Sequence, residues 1–168
     1  STAVQRSIWN RYVEPHLERM QLSSDFQGFD YIFPNSFGIR PLHLYTATDT
    51  LLASRKIEVM ELSFSNGWKT TSIKGERLVV NLKALESLLE EGQSSSSNTN
   101  FSLAAGEITL PDLQLTRDTT FPSVAINCTG FHFEQGLKIE SLQLRSVWDT
   151  LQLLATMQSI ELGNDSVR

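Results

Sequence analysis

A lone cysteine, Cys128, stands in a chain of 168 residues; one thiol cannot staple the chain to itself, which excludes a disulfide-framed secreted scaffold. No apolar run approaches the roughly 18 residues that a membrane-spanning helix needs, so any membrane contact would be peripheral. Basic patches are missing as well. Lys69, Lys74 and Arg77 are diluted by Thr, Ser and Glu, and the formal net charge of -5 argues against a nucleic-acid partner held through its phosphates. There is no phosphate-cradling glycine loop and no nucleophile elbow. His16 and His43 have no further ligand at a repeating spacing, so neither a metal nor any other cofactor is expected. Ser1 opens the chain without a charged-then-apolar leader, the form of a processed mature protein, a tag-cleaved chain or an excised domain.

What is present is an ordinary globular composition, 40% apolar and 20% charged, with a pattern that occurs three times. It runs Ile57 to Phe64 (IEVMELSF), Ile108 to Leu115 (ITLPDLQL) and Leu137 to Leu144 (LKIESLQL). In each copy the apolar phase moves by one residue at the centre, from 57/59 to 62/64, from 108/110 to 113/115 and from 137/139 to 142/144. Strand side chains alternate faces, so both halves can face one core only if the strand bulges or kinks between them. Pro111 sits at such a junction, where a missing N–H is tolerated.

Along the chain, Val4, Ile8, Tyr12, Val13, Leu17 and Met20 repeat at helical spacing, and Pro15 predicts a break in that helix. The stripe is expected to pack on a sheet; a helix lying on a membrane surface is the alternative. Phe26, Phe29, Tyr31, Phe33 and Phe37 are mixed with Gly28, Pro34 and Asn35, which predicts an irregular aromatic loop: a core plug, a lid or a partner-facing patch. Residues 42–55 are read as a short helix capped by Thr46 or Thr48. Asn66-Gly67 predicts a hairpin turn with its second strand starting at Trp68, and Leu78 to Leu82 a further strand. Lys83 to Glu91 reads as a helix stopped by Gly92, followed by a polar loop over 93–100. Val147 to Met157 is read as a closing helix.

Catalytic groups do not converge. Cys128 and His132 are four apart, but Gly130 between them breaks the alternation that a dyad would need, so no enzyme is expected.

The run Phe121 to Leu144, with Pro122, Val124, Gln135, Gly136, Leu137, Leu142 and Leu144 at the matching places, resembles cyanobacterial and actinobacterial LmeA-like phospholipid-binding proteins, and the repeated strand resembles those of AsmA-type and BPI-like lipid-groove proteins. The resemblance implies a curved sheet that shields acyl chains without catalysis, in a soluble or membrane-peripheral protein of cyanobacterial or plastid setting. Phe33-Pro34 and Phe37, with their spacing to Leu62-Ser63-Phe64, are also similar to the C-terminal domain of dynein heavy chains, which implies a structural role.

The expected fold is α+β: a curved antiparallel β-sheet with an N-terminal helix and one or two helices packed on one face. Residues 1–56 form a helical and aromatic-loop segment on an antiparallel β domain of residues 57–168, one compact domain overall. The expected function is a non-enzymatic module holding a lipid or other apolar ligand against Leu110, Leu113, Val124, Ile126, Leu137 and Ile139. The alternative is a scaffold or linker subunit that meets a protein assembly through Phe26, Phe29, Tyr31, Phe33 and Phe37.

Overall fold

The fold, described for residues 2–94 and 102–163, comes from a computed structural model. Two short helices, α1 (Thr2–Tyr12) and α2 (Glu14–Arg19), precede β1 (Ser23–Ile32), β2 (Ser36–Tyr45), β3 (Thr50–Ser54), β4 (Lys56–Met60), β5 (Trp68–Glu76) and β6 (Val79–Asn81). Helix α3 (Leu82–Ser94) then leads to β7 (Leu103–Thr116), β8 (Val124–Phe133), β9 (Leu137–Trp148) and β10 (Leu151–Leu162). All ten strands form one sheet, ordered β10-β9-β8-β7-β5-β4-β2-β3-β6, with β1 on β2 and β6 also on β7. β3 and β4 are halves of one bent strand, since Leu42 and Ile39 of β2 stand opposite Ser54 and Ile57 in one continuous register. β5 and β6 are likewise continuous against β7, with Ile73 opposite Ile108 and Val79 opposite Gln114.

The sheet is thus an α+β meander, antiparallel everywhere except where β7 meets β5 and β6. There α3 carries the chain across, and a crossover of that kind returns it in the same direction. Asn81 starts α3 by accepting hydrogen bonds from the Lys83 and Ala84 amides at 3.0 and 3.2 Å. The helix runs on through Gly92.

The sequence repeats mark two lines along which the strands kink. One crosses Pro41, Arg55, Arg77 and Asp112. Along it Ile39 and Leu42 both enter the core, and a Cβ on Gly75 would touch both Leu110 and Leu78. It ends at β7, whose register against β8 shifts between Leu110 and Leu113, the shift that the second repeat predicts.

The other line runs through Glu61, Thr71, Gly106, Gly130, Glu140 and Ser159. Glu61, Gly130 and Ser159 have φ of 53°, 62° and 55°. On either side of it Val59 and Leu62 are both buried, and Ile139 and Leu142 both half-buried, as the first and third repeats require. Kinks free backbone groups from the ladders, and side chains take them up. Ser54 Oγ lies 2.8 Å from Glu76 O and 3.0 Å from Lys56 O, Asp112 Oδ1 accepts from Arg77 N at 2.6 Å, and Ser36 Oγ accepts from Glu61 N at 2.9 Å.

Gly106 tests the second line. A Cβ there would lie 2.7 Å from the Thr71 carbonyl oxygen of the neighbouring strand, backbone that cannot swing aside. Gly106→Ala should therefore destabilise the fold by about 1–3 kcal/mol in urea unfolding. A neutral alanine would mean that β5 and β7 are not so closely apposed.

The core lies on one face of the sheet, where Trp9, Leu17, Leu22, Phe26, Ile39, Leu42, Leu51 and Ala84 cluster. Besides the helix stop expected at Gly92, four more sequence expectations fail. Residues 42–55 are strand, turn and strand, because Thr46 closes a tight turn instead of capping a helix: its amide donates to Asp49 O at 2.8 Å and its hydroxyl accepts from Asp49 N at 3.1 Å. The aromatic stretch is no loop but the β1–β2 hairpin, with Phe29 opposite Ile39 and Tyr31 opposite Phe37. Residues 147–157 end β9 and enter β10. The N-terminal stripe is also rotated: Pro15 does divide the helix, but α1 buries Trp9, while Val4, Ile8 and Tyr12 face solvent. Residues 95–100 of the polar loop lie outside the described residues.

Candidate functional site

Opposed residues in a ladder share a face, so the registers place each candidate side chain. Leu110 stands opposite Ile126, which stands opposite Leu144; Leu113 stands opposite Val124 past the bulge, and Leu137 opposite Phe133. Ile139 reaches the same face on the far side of the second kink line. All six predicted contact residues therefore belong to one apolar face, and it is the face on which the core is built.

The two ends of that face differ. Over β1, β2, β3 and β6 it is roofed: Trp9 and Leu17 press from α1 and α2, Ala84 from α3, and His16 sits edge-on to Trp68 with ring centroids 5.5 Å apart. Over β8, β9 and β10 no described helix covers it. There Val124, Ile126, Leu137, Ile139, Leu142 and Leu144 are only half-buried, and Phe133, Leu153, Met157 and Leu162 are exposed. Leu110 on β7 is half-buried at the border. Leu113 differs from the other five in being only 9% exposed, a buried residue.

The opposite face is polar. Rows such as Thr109–Asn127–Gln143 and Ala125–Arg145–Leu154 cross it and line a shallow hollow of about 240 Å³ beside Pro111, with Ile126 and Leu144 at its floor. Of the six predicted residues, Ile126 alone lines that hollow. The alternation signal read only apolar positions and so missed this second concavity, whose polar members look like any solvated strand face.

The remaining chemistry resolves by geometry. Cys128 is buried on the apolar face between Ile108 and Leu142, and burial pushes its thiol pKa up, away from the thiolate that a nucleophile needs. His132 pairs with Ala104 and Lys138 past the kink at Gly130, so it lies on the other side of the sheet. Among the described residues no group of three or more His, Cys, Asp or Glu is placed to hold a metal ion, and no helix is long and apolar enough to cross a membrane.

The aromatic cluster does not act as one patch. Phe26 is 4% exposed and tilts against Trp9 in the core, which withdraws it from any partner-facing set. Phe29 and Phe37 stack on each other at 5.4 Å and pack against the same core. Tyr31, Ile32 and Phe33 project at the hairpin tip, Phe33 with 84% of its surface exposed.

No protein-family model matches the chain, and searches of curated proteins and of solved structures gave no match.

Proposed function

We propose that the protein is a non-enzymatic module that holds a lipid acyl chain, or an apolar ligand of similar shape, against the unroofed half of its apolar sheet face. The observation that carries this reading is that the face continues from the roofed core across β8, β9 and β10 with apolar side chains and no described element over them. Contiguous apolar surface of that kind is uncommon on monomers and usually marks a binding surface. The likeness of Phe121 to Leu144 to LmeA-like proteins points the same way. Val4, Ile8 and Tyr12 on the outer side of α1, a helix without an acidic residue and with Arg11 5.7 Å from the Tyr12 ring, offer an apolar and basic surface where a bilayer could be met.

Native mass spectrometry and organic extraction of protein purified from its source should recover a lipid in place. Ile126→Glu would set a carboxylate against the acyl chain and should reduce retained lipid by about tenfold, or about 1.4 kcal/mol. Protein that consistently carries no lipid, or that retains it undiminished in Ile126→Glu, overturns the reading. A scaffold subunit is the second reading, favoured by the exposed Tyr31, Ile32 and Phe33 at the hairpin tip; a stoichiometric protein partner in lipid-free preparations would support it.

A further inference from the structure

The hollow on the polar face has a chemistry of its own. Arg145 on β9 lines it, opposite Ala125 on β8 and Leu154 on β10, and the short Ala125 side chain leaves a depression beside the longer ones. Asn127 and Gln143, opposite each other in the next row, bring two carboxamides to the same place. Gln143 and Arg145 are two residues apart along one strand, about 7 Å, and Asn127 stands one strand away, about 5 Å. All three can therefore contact one small ligand.

Among the described residues no carboxylate lines the hollow, and Arg145 takes part in no ion pair. Neither carboxamide bonds to a described group. In a chain whose formal net charge is -5, a concave spot with a cation and no acid is a local reversal of sign, and it attracts anions. Thr109, on the β7 side, already gives its hydroxyl to Glu107 Oε1 at 3.4 Å. The donors left for a ligand are the guanidinium and the two carboxamides.

We propose that this hollow binds a phosphate group, free or as a small ester. The Arg145 fork matches two phosphate oxygens at once, which leaves the third terminal oxygen for the amides of Asn127 and Gln143. A carboxylate has no third oxygen, so fork and amides would compete for the same two. At about 240 Å³ the hollow is smaller than the roughly 300–1,000 Å³ of pockets that take drug-sized ligands, which suits phosphate with a short ester chain lying against Pro111 and Leu154. The site is on the far side of a single sheet from the apolar face, and the inference does not rest on what that face holds.

Titration of the intact, isotope-labelled chain with inorganic phosphate and with glycerol 3-phosphate should give saturable shifts of the Arg145 Nε–H and of the Asn127 and Gln143 carboxamide resonances. Acetate should bind more weakly by about tenfold. Arg145→Gln removes the fork and should weaken phosphate by about tenfold or more, as expected for a hydrogen bond to a charged group. Ala125→Leu fills the hollow, leaves every donor in place and should also weaken phosphate, and both variants should keep the circular dichroism of the parent. Vesicles of phosphatidylcholine with phosphatidic acid separate the two sources of the group. Co-sedimentation that Arg145→Gln abolishes assigns it to a lipid headgroup; phosphate binding without vesicle binding assigns it to a soluble ester. Shifts that sodium chloride reproduces at equal ionic strength, acetate bound as tightly as phosphate, or variants that bind phosphate as the parent does would each overturn the proposal.

Discussion

Replacing Trp9 by alanine is expected to cost about 3–5 kcal/mol of folding stability, the range for deleting a large buried aromatic. Trp9 is 5% exposed, its ring lies 4.9 Å from that of Phe26, and its Nε1–H donates to Ser24 Oγ at 2.8 Å with Glu14 Oε2 at 3.2 Å. It is the one buried residue of α1, and a helix of 11 residues does not persist in water without tertiary support. Its loss should therefore free the whole helix, and with it the Gln5 and Arg6 contacts that occupy the β1 carbonyls. The expected signature is a lowered urea midpoint together with a loss of helical circular dichroism. Trp9→Phe separates area from hydrogen bonding. It keeps most of the apolar contact and leaves Ser24 bonded to Glu14 at 2.8 Å, so it should cost only about 1 kcal/mol. A Trp9→Ala protein as stable as the parent would show that α1 is not pinned to the sheet in this way.

How much of this was legible in the chain depends on whether a local signal had one physical meaning or two. Asn66-Gly67 had one: the positive φ values of 55° and 97° are what a tight hairpin turn demands, and β5 starts at Trp68 as expected. The phase shifts of the three repeats also had one, because apolar residues three apart in a strand cannot share a face without a kink. Thr46 to Asp49 had two, since the same hydroxyl and carboxylate that cap helices also close β-turns, and only the apolar alternation of the flanks could have decided between them. β10 failed for another reason. As an edge strand it carries Leu153 and Leu154 on opposite faces, which spoils the alternation and imitates helical spacing. The N-terminal helix shows the same limit: counting apolar residues favoured Val4, Ile8 and Tyr12, whereas one tryptophan with a polar partner outweighed all three.

The site was legible as a face and not as an opening. Alternation assigned Leu110, Val124, Ile126, Leu137 and Ile139 to the apolar side, where the registers put them. It could not tell which part of that side the helices would roof. That depends on where α1, α2 and α3 land, which is set by tertiary contacts such as Trp9 on Phe26 and Ala84 in the core. Leu113, three residues from Leu110 along the same strand, is buried while Leu110 is half-buried.

Leu113 therefore offers the sharpest mutational test of the kinked strand. Its side chain returns to the core directly after the bulge, opposite Val124, while the Gln114 amide bonds Leu78 O at 2.8 Å and Asp112 holds the Arg77 amide. These contacts and Pro111 fix the kink and leave no room for the strand to slip by one residue. Leu113→Ala should then cost on the order of 2–5 kcal/mol. Leu113→Asp should be worse, because an unpaired carboxylate would be forced into the core, and the chain is expected to be largely unfolded at room temperature. Leu142, the equivalent leucine of the third repeat, is only half-buried, so its alanine variant should lose less than that of Leu113. Thr109, four residues upstream and on the polar face, should accept alanine within about 0.5 kcal/mol. A denaturant series on these variants ranks them directly. If Leu113 and Thr109 tolerated alanine equally, the bulge between Leu110 and Leu113 would not exist, and the six apolar residues could not share one face.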